Sequence, residues 1–174
     1  MLIYLQMIES DQDKLKFEKL YSYYRGLMFH VAHGILRNDM DSEDAVHEAF
    51  LAVAKNMSKI KYEIDSPKTR AFVVIIVERK AINIYNANKQ TNTIELDETF
   101  MQPCSFELEQ NSAYRAMSHL PAHYRETLYL KYYCGYKPRE IAGMLDMSHD
   151  AVQKNIQRGK DALRKELEKE DIAL

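Results

Sequence analysis

The chain has 174 residues, 46% of them hydrophobic, which is enough for one mid-sized domain or two small ones with packed cores. Only five glycines and four prolines interrupt it, which argues against sandwiches, barrels and disorder. The formal charge of -2 argues at first against a nucleic-acid partner, but residues 1–90 carry 13 basic and 12 acidic side chains, residues 91–112 carry none and 5, and residues 113–174 carry 11 and 9, so basic faces have room on both sides of one acidic stretch.

Helical periodicity runs through the chain and long alternating patterns are absent, so the expected class is all-α. The first helix is expected from about Leu15 to Leu36, with Leu20, Tyr24, Leu27, Val31 and Ile35 on its buried face. Asp11 or Asp13 is the candidate cap, and Gly34 with Arg37-Asn38-Asp39 the stop. A second helix starts near Asp41 and carries the stripe Val46, Ala49, Phe50, Val53, Met57 and Ile60. After a loop over Lys59–Asp65, Ser66-Pro67 is a helix-start signal, serine as cap and proline at the first helical position. The third helix then runs to about Asn88. Its middle, Ala71–Val77, is apolar all round and predicts burial by several neighbours.

Gln90 to about Ser105 reads as an acidic linker, and the domain boundary is placed there. From Phe106, Leu108, Ala113, Met117 and Leu120 predict a short helix. Pro121 opens another, which runs through Leu128, Leu130 and Tyr133 to Cys134-Gly135. A helix over Pro138–Leu145, the turn Asp146-Met147-Ser148, and a last helix from His149 to about Lys169 with Ser148 as cap complete the chain.

Three constellations stand out. The last two helices form a helix-turn-helix pattern, in which Ile141, Ala142 and Leu145 would pack on Val152 and Ile156. The opposite face shows Gln153, Lys154, Asn155, Gln157, Arg158 and Lys160, amides and cations able to bond base edges and phosphates. An ordinary helical hairpin with a solvated outer face fits the same pattern. Residues 66–90 hold five basic side chains and one acidic, with Tyr62 and Tyr85 nearby, a composition suited to phosphates and unstacked bases or to a merely solvated helix end. Asp39, Asp41, Glu43, Asp44 and Glu48 crowd the start of the second helix, which fits dipole compensation or a basic protein partner.

His119 and His123 are four apart, but Pro121 lies between them, and no phosphate loop or nucleophile motif is present. No metal, cofactor or catalysis is expected. Cys104 and Cys134 are too few for a disulfide framework. Met1–Met7 lacks the basic flank of a signal peptide, and Phe72–Val77 is too short to cross a membrane, so the expected location is cytoplasmic.

The order of the parts carries a resemblance. Asp41-Ser42-Glu43-Asp44-Ala45-Val46-His47-Glu48-Ala49-Phe50 resembles the conserved region two of sigma-70 family factors. Thr69-Arg70-Ala71-Phe72 with Arg79-Lys80-Ala81-Ile82-Asn83 resembles the melting and minus-ten-reading helix of that region. Leu120-Pro121-Ala122-His123-Tyr124-Arg125-Glu126 resembles the start of region four, and Arg139-Glu140-Ile141-Ala142 with Ser148–Leu163 its helix-turn-helix. A short linker and no middle domain is the extracytoplasmic-function architecture.

The resemblance implies two small helical domains: residues 10–90, region two-like, and residues 106–170, region four-like, joined by the acidic linker at 91–105. It implies that Asp41, Glu43, Asp44, His47 and Glu48 meet the clamp helices of core RNA polymerase. Lys61 and Tyr62, with a face bearing Arg70, Arg79, Lys80, Asn83 and Asn86, would hold the non-template strand of the minus-ten element. Gln153, Lys154, Asn155, Gln157, Arg158 and Lys160 would read the minus-thirty-five element in the major groove, region four would also dock on the polymerase flap, and an anti-sigma factor would be a further partner. The sequence departs from the family pattern at Asn86-Ala87-Asn88-Lys89, where an arginine-rich tail is common, at Asn155 and Ala151 in the recognition helix, and in lacking tryptophan. A free-standing helix-turn-helix regulator and a degenerate sigma-like polymerase-binding protein are the alternatives.

Overall fold

The computed structural model describes residues 1–91, 116–117 and 119–172. The chain divides into two compact units, Met1–Phe100 and Met101–Leu174. Every regular element among the described residues is helical.

The first unit holds α1 (Leu2–Leu5), α2 (Asp11–Leu36), α3 (Asp39–Lys55), a 3-10 turn over Met57–Lys59, and α4 (Pro67–Thr91). Helix α2 begins one turn before its apolar stripe, because Ser10, rather than Asp11 or Asp13, caps it: its Oγ accepts the Asp13 amide at 3.3 Å. The helix passes through Gly34 and stops at Leu36, where Arg37 takes the left-handed conformation (φ 50°, ψ 28°) and its amide bonds the His33 carbonyl. Phe17, Leu20, Tyr24, Met28, Val31 and Ala32 are buried on α2, while Leu27 and Ile35 of the expected stripe are half-buried. Asn38 caps α3 through Oδ1 and the Asp41 amide at 2.9 Å, so α3 starts at Asp39. All of Val46, Ala49, Phe50, Val53, Met57 and Ile60 are buried.

Ser66 Oγ accepts the Thr69 amide at 3.2 Å, and Pro67 opens α4. Each residue from Ala71 to Val77 is at most 6% exposed, since α4 packs against both α2 and α3. Burying one such Val, Ile or Phe side chain stabilises by roughly 1.5–3 kcal/mol, so α4 is the centre of this unit. The apolar N-terminus joins the same core. Tyr4 and Ile8 are each 5% exposed, and Tyr4 packs against Phe17, Tyr21, His47 and Phe50 with ring centroids 5.4–6.0 Å away.

In the second unit, Ala116 and Leu120 are buried, followed by α5 (Ala122–Leu128), a π-helical turn over Tyr129–Tyr133, α6 (Pro138–Met144) and α7 (His149–Ile172). Pro121 precedes α5 as expected. The π turn, closed by the Cys134 amide on the Tyr129 carbonyl at 3.1 Å, has no counterpart in the sequence reading. Gly135, at φ 72°, then reverses the chain. The Lys137 amide donates to Glu140 Oε2 at 2.7 Å, which caps α6. The linker from residue 92 on, Cys104, and the apolar positions Leu108 and Ala113 lie outside the described residues. No helix among the described residues is long and apolar enough to cross a membrane.

Candidate nucleic-acid interface

The turn between α6 and α7 sets the second unit's surface. Asp146 takes the left-handed conformation (φ 51°), which a short polar side chain tolerates, and the Met147 amide reaches back to the Ala142 carbonyl at 2.9 Å. Ser148 then caps α7, its Oγ accepting the Ala151 amide at 3.1 Å. Ile141, Ala142, Leu145, Val152 and Ile156 are all buried, so the two helices share one apolar seam. Gly159 extends that seam toward α5. A Cβ there would meet Leu128 Cδ1 at 3.1 Å and Tyr124 Cβ at 3.2 Å, so α7 approaches α5 at van der Waals contact.

With Val152, Ile156 and Gly159 inward, the helical repeat turns Gln153, Lys154, Gln157, Arg158 and Lys160 outward, and all five are exposed. Asn155 lies at the edge of this face, half-buried. Gln153 Nε2 is 3.4 Å from His149 Nε2. Exposed Asp161 falls on the same side one turn beyond Gln157, and exposed Arg164 continues that side after it.

In the first unit, the loop carrying Lys61 and Tyr62 is pinned from several sides. Lys16 Nζ donates to the Ile60 carbonyl at 2.7 Å, Ser66 Oγ and Thr69 Oγ1 to the Glu63 carbonyl at 2.8 and 2.7 Å, and the Tyr24 hydroxyl to the Ile64 carbonyl at 2.5 Å. Burial, more than any charge, pushes the Tyr24 phenol up to about 12. Lys61 is exposed and Tyr62 half-buried. Lys68, one of the five basic side chains of residues 66–90, holds Tyr62: its Nζ is 4.6 Å above the ring centroid and 3.5 Å from the hydroxyl. A loop-to-helix contact of this kind follows no helical spacing, so no sequence signal announced it.

The α4 residues do not form the single face expected of them. At about 100° per residue, Arg79, Asn83 and Asn86 share one side, while Arg70 lies about 180° from Arg79 and Lys80 about 100° from it. Arg70, Asn83 and Asn86 are exposed; Arg79 and Lys80 are half-buried. Lys80 turns toward α3, with Nζ 3.6 Å from Glu48 Oε2.

Helix α3 presents the acidic residues on an outer strip with two occupied edges. Glu43, toward α2, forms a forked pair with Arg25 at 2.8 and 3.0 Å, and this pairing raises the Arg25 pKa. Also on that side, His47 Nδ1 is 2.6 Å from the Tyr4 hydroxyl, whose pKa burial raises. Toward α4, Asp41 accepts a 3.0 Å bond from Asn88 Nδ2, and Glu48 meets Lys80. Between the edges lie exposed Asp44 and Met40, the latter 73% exposed. Met40 is thus an exposed apolar side chain within an acidic strip. Among the described residues no group of three His, Cys, Asp or Glu side chains converges as metal ligands would.

The comparisons with known proteins bear on both units. The family model for Sigma-70 region 2 matches residues 20–91, and that for Sigma-70, region 4 matches residues 110–163. No curated protein matches the chain. Among solved structures, the chain is similar to the sigma factor RpoE from Bartonella quintana, determined in complex with the anti-sigma factor NepR. That pair shows 13% identity and a TM-score of 0.46, over 87% of this chain and 96% of that one. It is also similar to CnrH, determined with the cytosolic domain of CnrY, at 19% identity and a TM-score of 0.40, over 96% of each chain. Regions 2 and 4 occur in family order with only residues 92–109 between their matches, and the helix-turn-helix and the acidic helix fall inside those matches. The chain belongs to the sigma-70 family of transcription-initiation factors, whose regions 2 and 4 it carries in order.

Proposed function

We propose that three surfaces of the chain divide the work of a sigma factor among them. The outer strip of α3, with Asp41, Glu43, Asp44, His47 and Glu48 around Met40, docks on the basic clamp helices of core RNA polymerase. Complementary charge there steers encounter and fixes register. Lys61 and Tyr62, on their pinned loop, and Arg79, Asn83 and Asn86 along one side of α4, with Lys80 at its edge and Arg70 in the helix's first turn beside the loop, hold the displaced minus-ten strand. A rigid aromatic flanked by cations is a platform on which an unstacked base can lie. Helix α7 enters the major groove at the minus-thirty-five element through Gln153, Lys154, Asn155, Gln157, Arg158 and Lys160, while the exposed Lys137 and Arg139 at the start of α6 stand where phosphates pass.

The observation that carries this reading is the outward face of α7, opposite a buried seam set by the Asp146 turn. The chain itself performs no catalysis and works in the cytoplasm, where core polymerase is. Each unit offers few cations to phosphate, so tight promoter binding needs the polymerase. An anti-sigma factor lying on the α3 strip would compete with core for the same carboxylates.

Run-off transcription tests the reading. Purified core polymerase is given fragmented genomic DNA of the host, with and without this chain. New discrete start sites sharing upstream elements are expected. Co-elution with core but no new starts would favour a degenerate polymerase-binding protein, which the short basic tail at Asn86–Lys89 makes the second reading. Tight duplex binding without core would point to a free-standing regulator.

A further inference from the structure

The first unit gathers exposed apolar side chains at its N-terminal segment. Leu2 is 77% and Ile3 62% exposed, and Met1 and Met7 beside them are exposed as well. These residues precede the stretch that matches the family model, which begins at residue 20, so the family pattern does not account for them. A helix of four residues, such as α1, does not hold together by itself in water. It is fastened from beneath. Tyr4 and Ile8 are buried, and the Tyr4 hydroxyl lies 2.6 Å from His47 Nδ1. That fastening decides what the exposed side borders. Met40, Asp44, His47 and Leu51 follow the helical repeat along one outward stripe of α3, the first three exposed and Leu51 half-buried. Helix α1 meets this stripe at His47. Charge steers a basic partner to the stripe, but lasting interfaces set an apolar centre within a polar rim. Met40 supplies apolar surface near one end of the stripe, and Leu2 and Ile3 supply more beside His47. Residues 1–8 contain no Lys, Arg, Asp or Glu. Nothing there draws an anionic lipid surface, and nothing there opposes a basic protein.

We propose that the exposed side of α1, through Leu2 and Ile3, is an apolar extension of the α3 strip and packs on core RNA polymerase beside the clamp helices. This inference rests on the assignment of α3 to core and adds a second, uncharged contact to it. The two parts act on different steps. The carboxylates raise the rate of encounter, whereas Leu2 and Ile3 slow separation once water has been expelled from between the surfaces. Tyr4 has a positioning role: its ring and hydroxyl hold α1 against His47, where the two parts join.

The test measures association and dissociation of the full chain on immobilised core polymerase by biolayer interferometry, at low and at high salt. The double variant Leu2→Gln, Ile3→Gln changes exposed side chains only and leaves the buried anchors Tyr4 and Ile8 in place. It is expected to bind core about 5- to 20-fold more weakly, chiefly through faster dissociation, and to the same extent at both salt concentrations. Asp44→Asn is expected to slow association at low salt, an effect that fades at high salt. Leu15→Gln is the control. Leu15 is 61% exposed but lies about 200° around α2 from Phe17, which α1 covers, and its variant should bind as the wild type does. Unchanged binding by the double variant beside a weakened Asp44→Asn overturns the apolar contact and leaves the α3 strip in place. Unchanged binding by both sinks the strip and the contact together. Equal losses for the double variant and Leu15→Gln report general stickiness and also overturn the contact. Sedimentation velocity without core checks the other occupant: a wild-type dimer that the double variant splits assigns the patch to a second copy of the chain and overturns the proposal.

Discussion

The two units reach their surfaces by different means. The first relies on three long helices and a large apolar interior. Helix α4 is buried from Ala71 through Val77, and Tyr4, Phe17, Tyr21 and Phe50 form one aromatic cluster beside it. Among its described residues the second has two helices of seven residues and one of 24, and these turn on backbone singularities: a π turn at Tyr129–Tyr133, left-handed residues at Gly135 and Asp146, and the close approach at Gly159. Where interior volume is ample, side-chain burial sets the arrangement. Where it is scarce, a few conformationally special residues do, because each removes alternatives that a small core cannot exclude by packing.

Substitutions in the two units should therefore fail differently. The largest effect is expected for Phe50→Ala, at 0% exposure in the aromatic cluster. It should destabilise the first unit by about 3–5 kcal/mol. Hydrogen exchange resolved by mass spectrometry should show protection lost in residues 1–91 and kept in α5 to α7, and loss in both would dissolve the comparison. Next comes Gly159→Val, which forces side-chain carbons against Leu128 and Tyr124. We expect about 1–3 kcal/mol of destabilisation, confined by the same measurement to the second unit.

Gln153→Ala leaves both folds intact and sharpens the comparison on function. Loss of a base contact should relax the minus-thirty-five preference by about 1–3 kcal/mol, whereas Lys160→Ala should weaken all promoters alike. Equal effects across a promoter panel for both variants would remove Gln153 from base reading. The smallest change is Tyr24→Phe, which deletes the bond to the Ile64 carbonyl and should destabilise by about 1 kcal/mol. The folded phenol holds its proton up to about 12, whereas the unfolded one loses it near 10. Tyr24 therefore contributes stability that is present below pH 10 and fades as pH rises toward 12. Alkaline melts of the wild type should show this loss, and Tyr24→Phe should reduce it.

Much was legible before the fold was known. The all-helical class, the Ser66-Pro67 start of α4, the all-round burial of its apolar run and the Ser148 cap each follow from local periodicity or local bonding, which a linear sequence displays. The chain's membership in the sigma-70 family likewise rested on motifs in order. What the residues could not display were contacts between segments distant in sequence. Helix α2 runs through Gly34 because a glycine in open surroundings there does not break a helix packed on both neighbours. Tyr4 of the apolar N-terminus meets His47, 43 residues away, a contact no local pattern displays.

The candidate sites divide along the same line. Which faces of α7 point inward and outward follows from an apolar repeat of 3.6 residues, so the sequence by itself determined Gln153, Lys154, Gln157, Arg158 and Lys160 as a surface. Whether the acids of α3 and the cations of α4 lie free or engaged depends on how two helices pack side by side. Only the tertiary structure decided that Glu43 grips Arg25, that Glu48 holds Lys80 and that Asp41 holds Asn88, because the energy of an ion pair depends on the distance between its charges in space, and sequence separation says nothing of that distance.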